Sequence, residues 1–273
     1  MDAFNNLIVR VVQLMPKPVV GFFSKKYIAG ETLQDAVDFV KKLNSKGIYA
    51  TMDVLGESVA NKSESIKCKN EALEVLEAIE KNKLMANLSI KPTQMGLAID
   101  EQFAYEQILE LVKKAAEYKN VGVVIQSYMR RSFDDVVALN KIGTNYRLCK
   151  GIYVEPVAIA YKGKQEVRDN YLKILDQMFK DGNYVGIATH DKPLIDSAYT
   201  RIKEQNIAKD KFEFQMLLGV REDLRDKINS DGYKIRIYVP FGKDWYAYSV
   251  RRLKENPSVA GTIAKSFLTF GRR

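Results

Sequence analysis

The sequence predicts a parallel α/β barrel of the (β/α)8 type, distorted, with seven recognisable strands. Three observations predict it. Segments of strand character alternate with segments of helical periodicity along nearly the whole chain, and no linker interrupts them. Each strand ends in a polar or charged residue followed by a loop, at Glu57, Lys91, Gln126, Lys150, His190, Gln215 and Tyr238. Functional groups spread over successive strand ends suit a barrel, whereas a doubly wound sheet gathers them at one switch point. There is also no G-x-G-x-x-G and no Walker A sequence, which weakens dinucleotide-fold and P-loop readings.

Taken in order, Leu7 to Met15 is apolar but interrupted by Arg10 and Gln13. It lacks the basic start and small-residue cleavage site of a signal peptide. It reads as an amphipathic helix packed on the body or resting on a membrane surface, within an N-terminal helical extension over 1–30. Pro16 and Pro18 break it. Thr32 caps a helix carrying Leu33, Ala36, Val37, Val40 and Leu43, which Gly47 stops. The strand Ile48–Leu55 ends at Gly56-Glu57, and a helix runs through Leu73, Leu76 and Ile79. The strand Leu84–Lys91 delivers a lysine at its C-terminal end, ahead of a turn at Pro92. A helix from Glu101 to Tyr118, the strand Val121–Tyr128 and a short helix from Phe133 to Asn140 follow. Next come the strand Tyr146–Gly151, a helix around Tyr171 to Phe179, and the strand Tyr184–Ala188 ending in Thr189-His190-Asp191. After one more helix, the strand Phe212–Leu217 ends at Gly219. Lys234–Val239 is the seventh strand, broken by Pro240 and Gly242, and Asp244 is the N-cap of a helix from Trp245. A last helix over 257–273 carries Ile263 and Phe267. The whole of 1–273 is expected to be one domain.

The formal charge is +9, but basic and acidic residues are mixed throughout, so no nucleic-acid partner is expected. Cys68 and Cys149 form no CxxC, which argues against a disulfide framework or zinc site and suits a reducing compartment. With His190 the single histidine, no multi-histidine metal site exists and no metal is expected. No stretch reaches the roughly 18 apolar residues of a membrane span. The expected location is the cytoplasm, with peripheral association on the inner face of the membrane as a further option.

The chemistry concentrates near the end. Tyr248, Arg251, Arg252 and Glu255 fall at i, i+3, i+4 and i+7 of the helix from Trp245, which is one face. Two guanidinium forks and a ring one turn back suit a small, flat, carboxylate-bearing ligand. The plainer alternative is a solvated basic face with Glu255 as its partner. Lys91 and Lys150 end strands, a position from which a desolvated lysine acts as nucleophile in a class I aldolase-like barrel.

Six stretches together resemble the flavin-dependent proline dehydrogenases, of the monofunctional bacterial type. They are S-I-K-P-T-Q-M-G-L (89–97), V-I-Q-S-Y-M-R-R-S (124–132), R-L-C-K-G-I-Y-V-E-P (147–156), A-T-H-D (188–191), F-E-F-Q-M-L-L-G-V-R (212–221) and Y-V-P-F-G-K-D-W-Y-A-Y-S-V-R-R-L-K-E-N (238–256). They occur in the family's order over about 30–256. The resemblance implies FAD at the C-terminal ends of the barrel strands. It implies oxidation of L-proline to Δ1-pyrroline-5-carboxylate, with electrons passed to a quinone. By position Lys91, Arg251 and Arg252 match residues holding the proline carboxylate, with Glu255 pairing on that helix. Tyr153, Leu217, Tyr238 and Tyr248 match substrate-pocket walls. Arg147 matches the arginine near the flavin N5, and Gln126, Lys150, Gly151, Ile152, Thr189 and His190 match flavin contacts. Plainer readings stand beside these. Arg147 forms a strand-end salt bridge with Glu155 or Asp191, Gln126 is a cap, and Arg130-Arg131 is either solvated or on the flavin phosphates.

One departure is large. Members carry a further strand and helix, ending in an acidic Asp-Met-Glu-Asp-type motif, where this chain passes directly from Tyr118 to Val121. The shortfall is about one βα unit, roughly 30 residues. The acidic motif's first Asp is the partner of the lysine matched by Lys91. The expectation is therefore that Lys91 has lost its carboxylate, that the barrel closes with seven strands or stays open, and that the chain is an impaired barrel keeping a ligand pocket or an active enzyme.

Overall fold

The computed structural model describes residues 21, 24–56, 58–116 and 122–255, the side chains of 251–255 excepted. The expected N-terminal helix, Glu57, the Tyr118–Val121 junction and the helix after Pro257 lie outside the described residues. Among these residues the elements run α1 (Leu33–Asn44), β1 (Tyr49–Val54), α2 (Lys62–Lys81), β2 (Ala86–Ser89), α3 (Glu101–Ala116), β3 (Val123–Gln126), α4 (Ser132–Asn140), β4 (Tyr146–Cys149), α5 (Lys164–Lys180), β5 (Val185–Ala188), α6 (Lys192–Glu204), β6 (Phe212–Leu217), α7 (Glu222–Ser230), β7 (Ile235–Phe241) and α8 (Trp245–Glu255). The seven expected strands are thus all present, in the order β2-β1-β7-β6-β5-β4-β3. The chain divides into two compact units: Met1–Lys42, Thr51–Ile108 and Val239–Arg273 in the first, Leu43–Ala50 and Leu109–Tyr238 in the second. β1 and β7 each pass from one unit into the other.

In the second unit β3 to β7 pair parallel, with Gln126, Cys149, Ala188, Gln215 and Arg236 in register across five strands. β5 is buried along its whole length, as a central parallel strand covered on both faces must be. Helical spacing explains the cover: Tyr171, Ile174, Leu175 and Met178 of α5 fall on one stripe and are all buried, as are Leu194, Ile195, Ala198 and Ile202 of α6. Phe212, Phe214, Tyr199 and Tyr233 interlock edge to face or tilted, at 5.0–6.0 Å between ring centres.

A buried polar cluster also lies in this unit. Arg236 donates through Nε and Nη2 to the Glu213 carboxylate and through Nη1 to the Ala50 carbonyl at 2.7 Å, and Gln215 Nε2 donates to Glu213 at 2.7 Å. Burial alone would raise the Glu213 carboxyl, but Arg236 and Lys234 outweigh it and hold it below its ordinary value. Gly186 makes room for this cluster, because a Cβ there would stand 2.3 Å from Gln215 Nε2.

In the first unit, Thr32 and Asp35 cap α1 reciprocally: Thr32 Oγ1 accepts from the Asp35 amide at 3.1 Å, and Asp35 Oδ2 from the Thr32 amide at 3.0 Å. α2 begins at Lys62, one residue after its cap Asn61, and packs on β2 through a buried stripe that includes Ala72, Val75, Leu76 and Ile79.

Two expectations are corrected. β7 does not break at Pro240 but continues to Phe241. Proline lacks only a donor, and here its carbonyl accepts from Ala29 N at 2.9 Å while Phe241 O accepts from Leu55 N at 2.8 Å. The chain turns only at Gly242, with φ +125. The helix α7 was not expected, since its nine residues bury only Leu224 and Ile228.

Candidate active site

In the second unit the candidate residues gather where the strands end. On β4, Tyr146 and Leu148 are buried on one face while Arg147 and Cys149 occupy the other, as strand alternation requires. The Arg147 guanidinium lies over the Tyr238 ring at 5.4 Å from its centre. Its Nε is buried and has no hydrogen-bond partner among the described residues. Burial pushes the Cys149 thiol up, and the charge of Arg147 opposes this.

Asp191 does not pair with Arg147. Its carboxylate takes Lys150 Nζ at 2.8 Å and Arg168 twice, Nη2 at 2.7 Å and Nε at 3.1 Å. Burial raises its carboxyl, but those two cations prevail and hold it below the ordinary range. The Asp191 amide donates to Thr189 Oγ1 at 3.1 Å, which fixes the turn after β5. His190 Nε2 accepts from the Leu217 amide at 2.9 Å, so the imidazole braces the end of β6. The Gln126 backbone carbonyl accepts from Ser132 Oγ at 2.7 Å, which ties the end of β3 to the start of α4. Gly151 has φ +99, and a Cβ there would sit 2.0 Å from the Tyr128 ring, so only glycine fits. Ile152 and Tyr153, expected at the cofactor and substrate, stand exposed on the loop after β4. Arg130 and Arg131 are accounted for: Arg130 donates to the Val157 carbonyl at 3.0 Å, and Arg131 pairs with Asp135 on the surface.

In the first unit the expectation of an orphaned lysine is overturned. Lys91 Nζ meets Asp53 Oδ1 at 2.7 Å. The Asp53 side chain is 2% exposed and that of Lys91 25%. β1 and β2 are neighbours in the sheet, so Asp53 near the end of one and Lys91 just past the end of the other come together. α8 runs from Trp245 through Glu255, so Tyr248, Arg251, Arg252 and Glu255 do share one helical face, and Tyr248 is buried. The side chains of the last three lie outside the described residues.

Sequence reasoning missed Asp53 as a partner and Arg168 altogether. A carboxylate inside the β-branched run 48–55 was a readable signal. Arg168, near the start of an amphipathic helix, gave none.

The proline dehydrogenase family profile matches residues 89–265. The chain belongs to the proline dehydrogenase family. It is 32% identical to "Proline dehydrogenase" of Deinococcus radiodurans over 278 residues, covering 90% of each chain. It is 32% identical over 273 residues to "Proline dehydrogenase 1" of Bacillus subtilis (strain 168), again covering 90% of each. The first alignment spans 278 residues while 90% of the 273 here is about 246, which leaves roughly 32 positions without a counterpart, the length of one βα unit. Proline utilization A of Bdellovibrio bacteriovorus superposes with a TM-score of 0.78 at 24% identity, over 85% of this chain and 32% of that one. The protein of that name from Corynebacterium freiburgense gives 0.73 at 20% identity, over 96% and 34%. This chain therefore spans about a third of those proteins, and the likeness shows the fold.

The aldolase alternative needs a neutral amine, and both candidate lysines face carboxylates instead, Lys91 on Asp53 and Lys150 on Asp191.

Proposed function

We propose that this chain oxidises L-proline to Δ1-pyrroline-5-carboxylate with FAD and passes the electrons to a quinone. Family membership supports the reaction. The observation that carries the site is Arg147, whose buried Nε lacks a partner while its fork lies over Tyr238. A buried unsatisfied guanidinium nitrogen is costly, and an acceptor atom of a bound cofactor satisfies it. The residues thus fit a flavin: Gln126, Arg147, Lys150, Gly151, Ile152, Thr189 and His190 hold it.

FAD supplies the two-electron sink for this oxidation. The product name places the new C=N bond between the ring nitrogen and the carbon that bears no carboxylate. The substrate must therefore be gripped by its carboxylate and react at the far side of its nitrogen. Lys91, held by Asp53, and Arg251 and Arg252 of α8 bind the carboxylate, with Glu255 orienting the arginines. Tyr153, Leu217, Tyr238 and Tyr248 bound the ring. With FAD bound, Arg147 would place a permanent positive charge beside the acceptor that takes up the substrate's electrons.

The test is spectroscopic. Purified protein incubated with FAD turns yellow, loses that colour with L-proline in the absence of oxygen, and reduces a quinone analogue. Protein that stays colourless after incubation with FAD overturns the reading. The Arg147→Met variant binds FAD but is reduced by proline at least about tenfold more slowly.

A further inference from the structure

The turn from β7 into α8 is strapped by residues that precede α1, all of them in the first unit. Ala29 N donates to Pro240 O at 2.9 Å and Gly242 N donates to Gly30 O at 3.0 Å, so the strap runs beside the chain as it leaves the sheet. One residue on, Trp245 Nε1 donates to Glu31 Oε1 at 2.8 Å. Both partners of this last bond are held. The Glu31 amide donates to Asp35 Oδ2 at 3.2 Å, which fixes the acceptor at the head of α1. The indole lies against Gly21, where a Cβ would stand 3.3 Å from the ring.

Packing alone does not account for the place of the indole. A cavity of about 630 Å³, with Ser24, Lys25, Ile28 and Asp35 in its lining, opens beside Glu31 and Trp245. The ring has room to turn away, yet it donates its one N–H to a carboxylate, so this charge-assisted bond is what holds it.

The position of Trp245 decides what the bond controls. It is the first residue of α8, just after Gly242, whose φ of +125 makes the turn a ready pivot. Arg251 and Arg252 lie further along the same helix, roughly 10 Å from Trp245 at the usual rise. A swing of about 10° at the turn carries them by about 2 Å, enough to open a fork-to-carboxylate contact.

We propose that Glu31 and Trp245 are a positioning pair for substrate binding: their hydrogen bond sets the angle of α8, and with it the grip of Arg251 and Arg252 on the proline carboxylate. Neither residue belongs to the pocket proposed above. The inference rests on the reading of α8 as the carboxylate-binding helix and adds the residues that aim it.

The test uses the full chain loaded with FAD. Glu31 is exposed, so the chain folds without its carboxylate. Glu31→Ala removes the acceptor, and KM for L-proline rises roughly tenfold while kcat stays within about twofold. Glu31→Gln keeps an acceptor oxygen and holds KM within about twofold of wild type, which a role for the charge alone would not allow. Trp245→Phe removes the donor and matches Glu31→Ala, and the double variant is no worse than either, because the same bond is lost in all three. A second readout needs neither turnover nor flavin. Trp245 is the single tryptophan of the chain, so its emission in the FAD-free protein moves to the red in Glu31→Ala and stays in place in Glu31→Gln. A wild-type KM in Glu31→Ala overturns the proposal. So does a Glu31→Gln variant as impaired as Glu31→Ala, or single effects that multiply in the double variant. The two readings fail separately: wild-type protein that proline does not reduce defeats the catalytic reading, whereas normal proline oxidation with a KM unmoved by Glu31→Ala defeats only the positioning pair.

Discussion

Replacing Asp53 by Asn removes one charge from a pair and leaves the shape intact. The 2.7 Å contact corresponds to roughly 6 kcal/mol of gross attraction at an effective dielectric near 20. Most of that offsets desolvation, and breaking a buried pair from one side typically costs about 3–5 kcal/mol. Asp53 is 2% exposed, but a quarter of Lys91 remains open to water, which shelters the abandoned ammonium. The expected loss is therefore about 2–3 kcal/mol in urea unfolding. With Lys91 no longer held in its proposed place at the substrate carboxylate, KM for proline rises roughly tenfold while kcat changes less. The decisive measurement is a double-mutant cycle with Lys91→Met. If the pair works as described, Asp53→Asn/Lys91→Met is more stable than the sum of the single losses, because no uncompensated charge is left buried. Additive losses, or an Asp53→Asn variant within about 0.5 kcal/mol of wild type, would refute the assignment of Asp53 as the partner of Lys91.

Other outcomes follow from the same structure. Gly186→Ala drives a methyl into Gln215 Nε2 and so disrupts the Gln215–Glu213–Arg236 cluster; the loss is about 1–3 kcal/mol, read as a lower Tm, and an unchanged Tm would show that the amide moves freely. Asp191→Asn frees Lys150 and Arg168 together, and the fraction of FAD retained after gel filtration falls; Arg168→Gln gives a smaller fall of the same sign, whereas equal retention by all three proteins would separate the triad from the cofactor. Acid stability follows from the depressed carboxyls of Asp191 and Glu213. Each contributes stability above its unfolded value that is lost as pH falls through its lower folded value, so unfolding sharpens below about pH 4. Asp191→Asn makes that slope shallower, and an identical slope would count against it.

How far the chain could be read depended on the range of the signal. Period and punctuation are local, so Thr32 as a cap, the stripes of α5 and α6, and all seven strands were legible from spacing alone. α7 was not, because Leu224 and Ile228 are too few to set a period. The end of β7 was misread because Pro240 was weighed as a breaker, while the acceptor role of its carbonyl toward Ala29 is a long-range fact. The strand-end positions of Lys150, Thr189 and His190 were legible; their partners were not. Arg168 reaches Asp191 from a neighbouring helix, and the Leu217 amide reaches His190 from the next strand. No sequence pattern records either meeting.

The βα unit that the resemblance implies beside β3 bears on Lys91. β2 and β3 are the two ends of the strand order, and Val123 and Val124 of β3 stand exposed, as residues of a terminal strand do when nothing pairs beyond it. The resemblance implies an acidic strand at that point of the chain, and its loss is expected to leave the part-buried Lys91 ammonium without compensation. Lys91 is nonetheless compensated, because the carboxylate of Asp53 comes from the neighbouring strand β1. A charge pair assembled from adjacent strands inside one compact unit survives loss of a strand outside the pair. Lys91 therefore keeps a carboxylate partner for a physical reason, and the chain retains the group proposed to bind the substrate carboxylate.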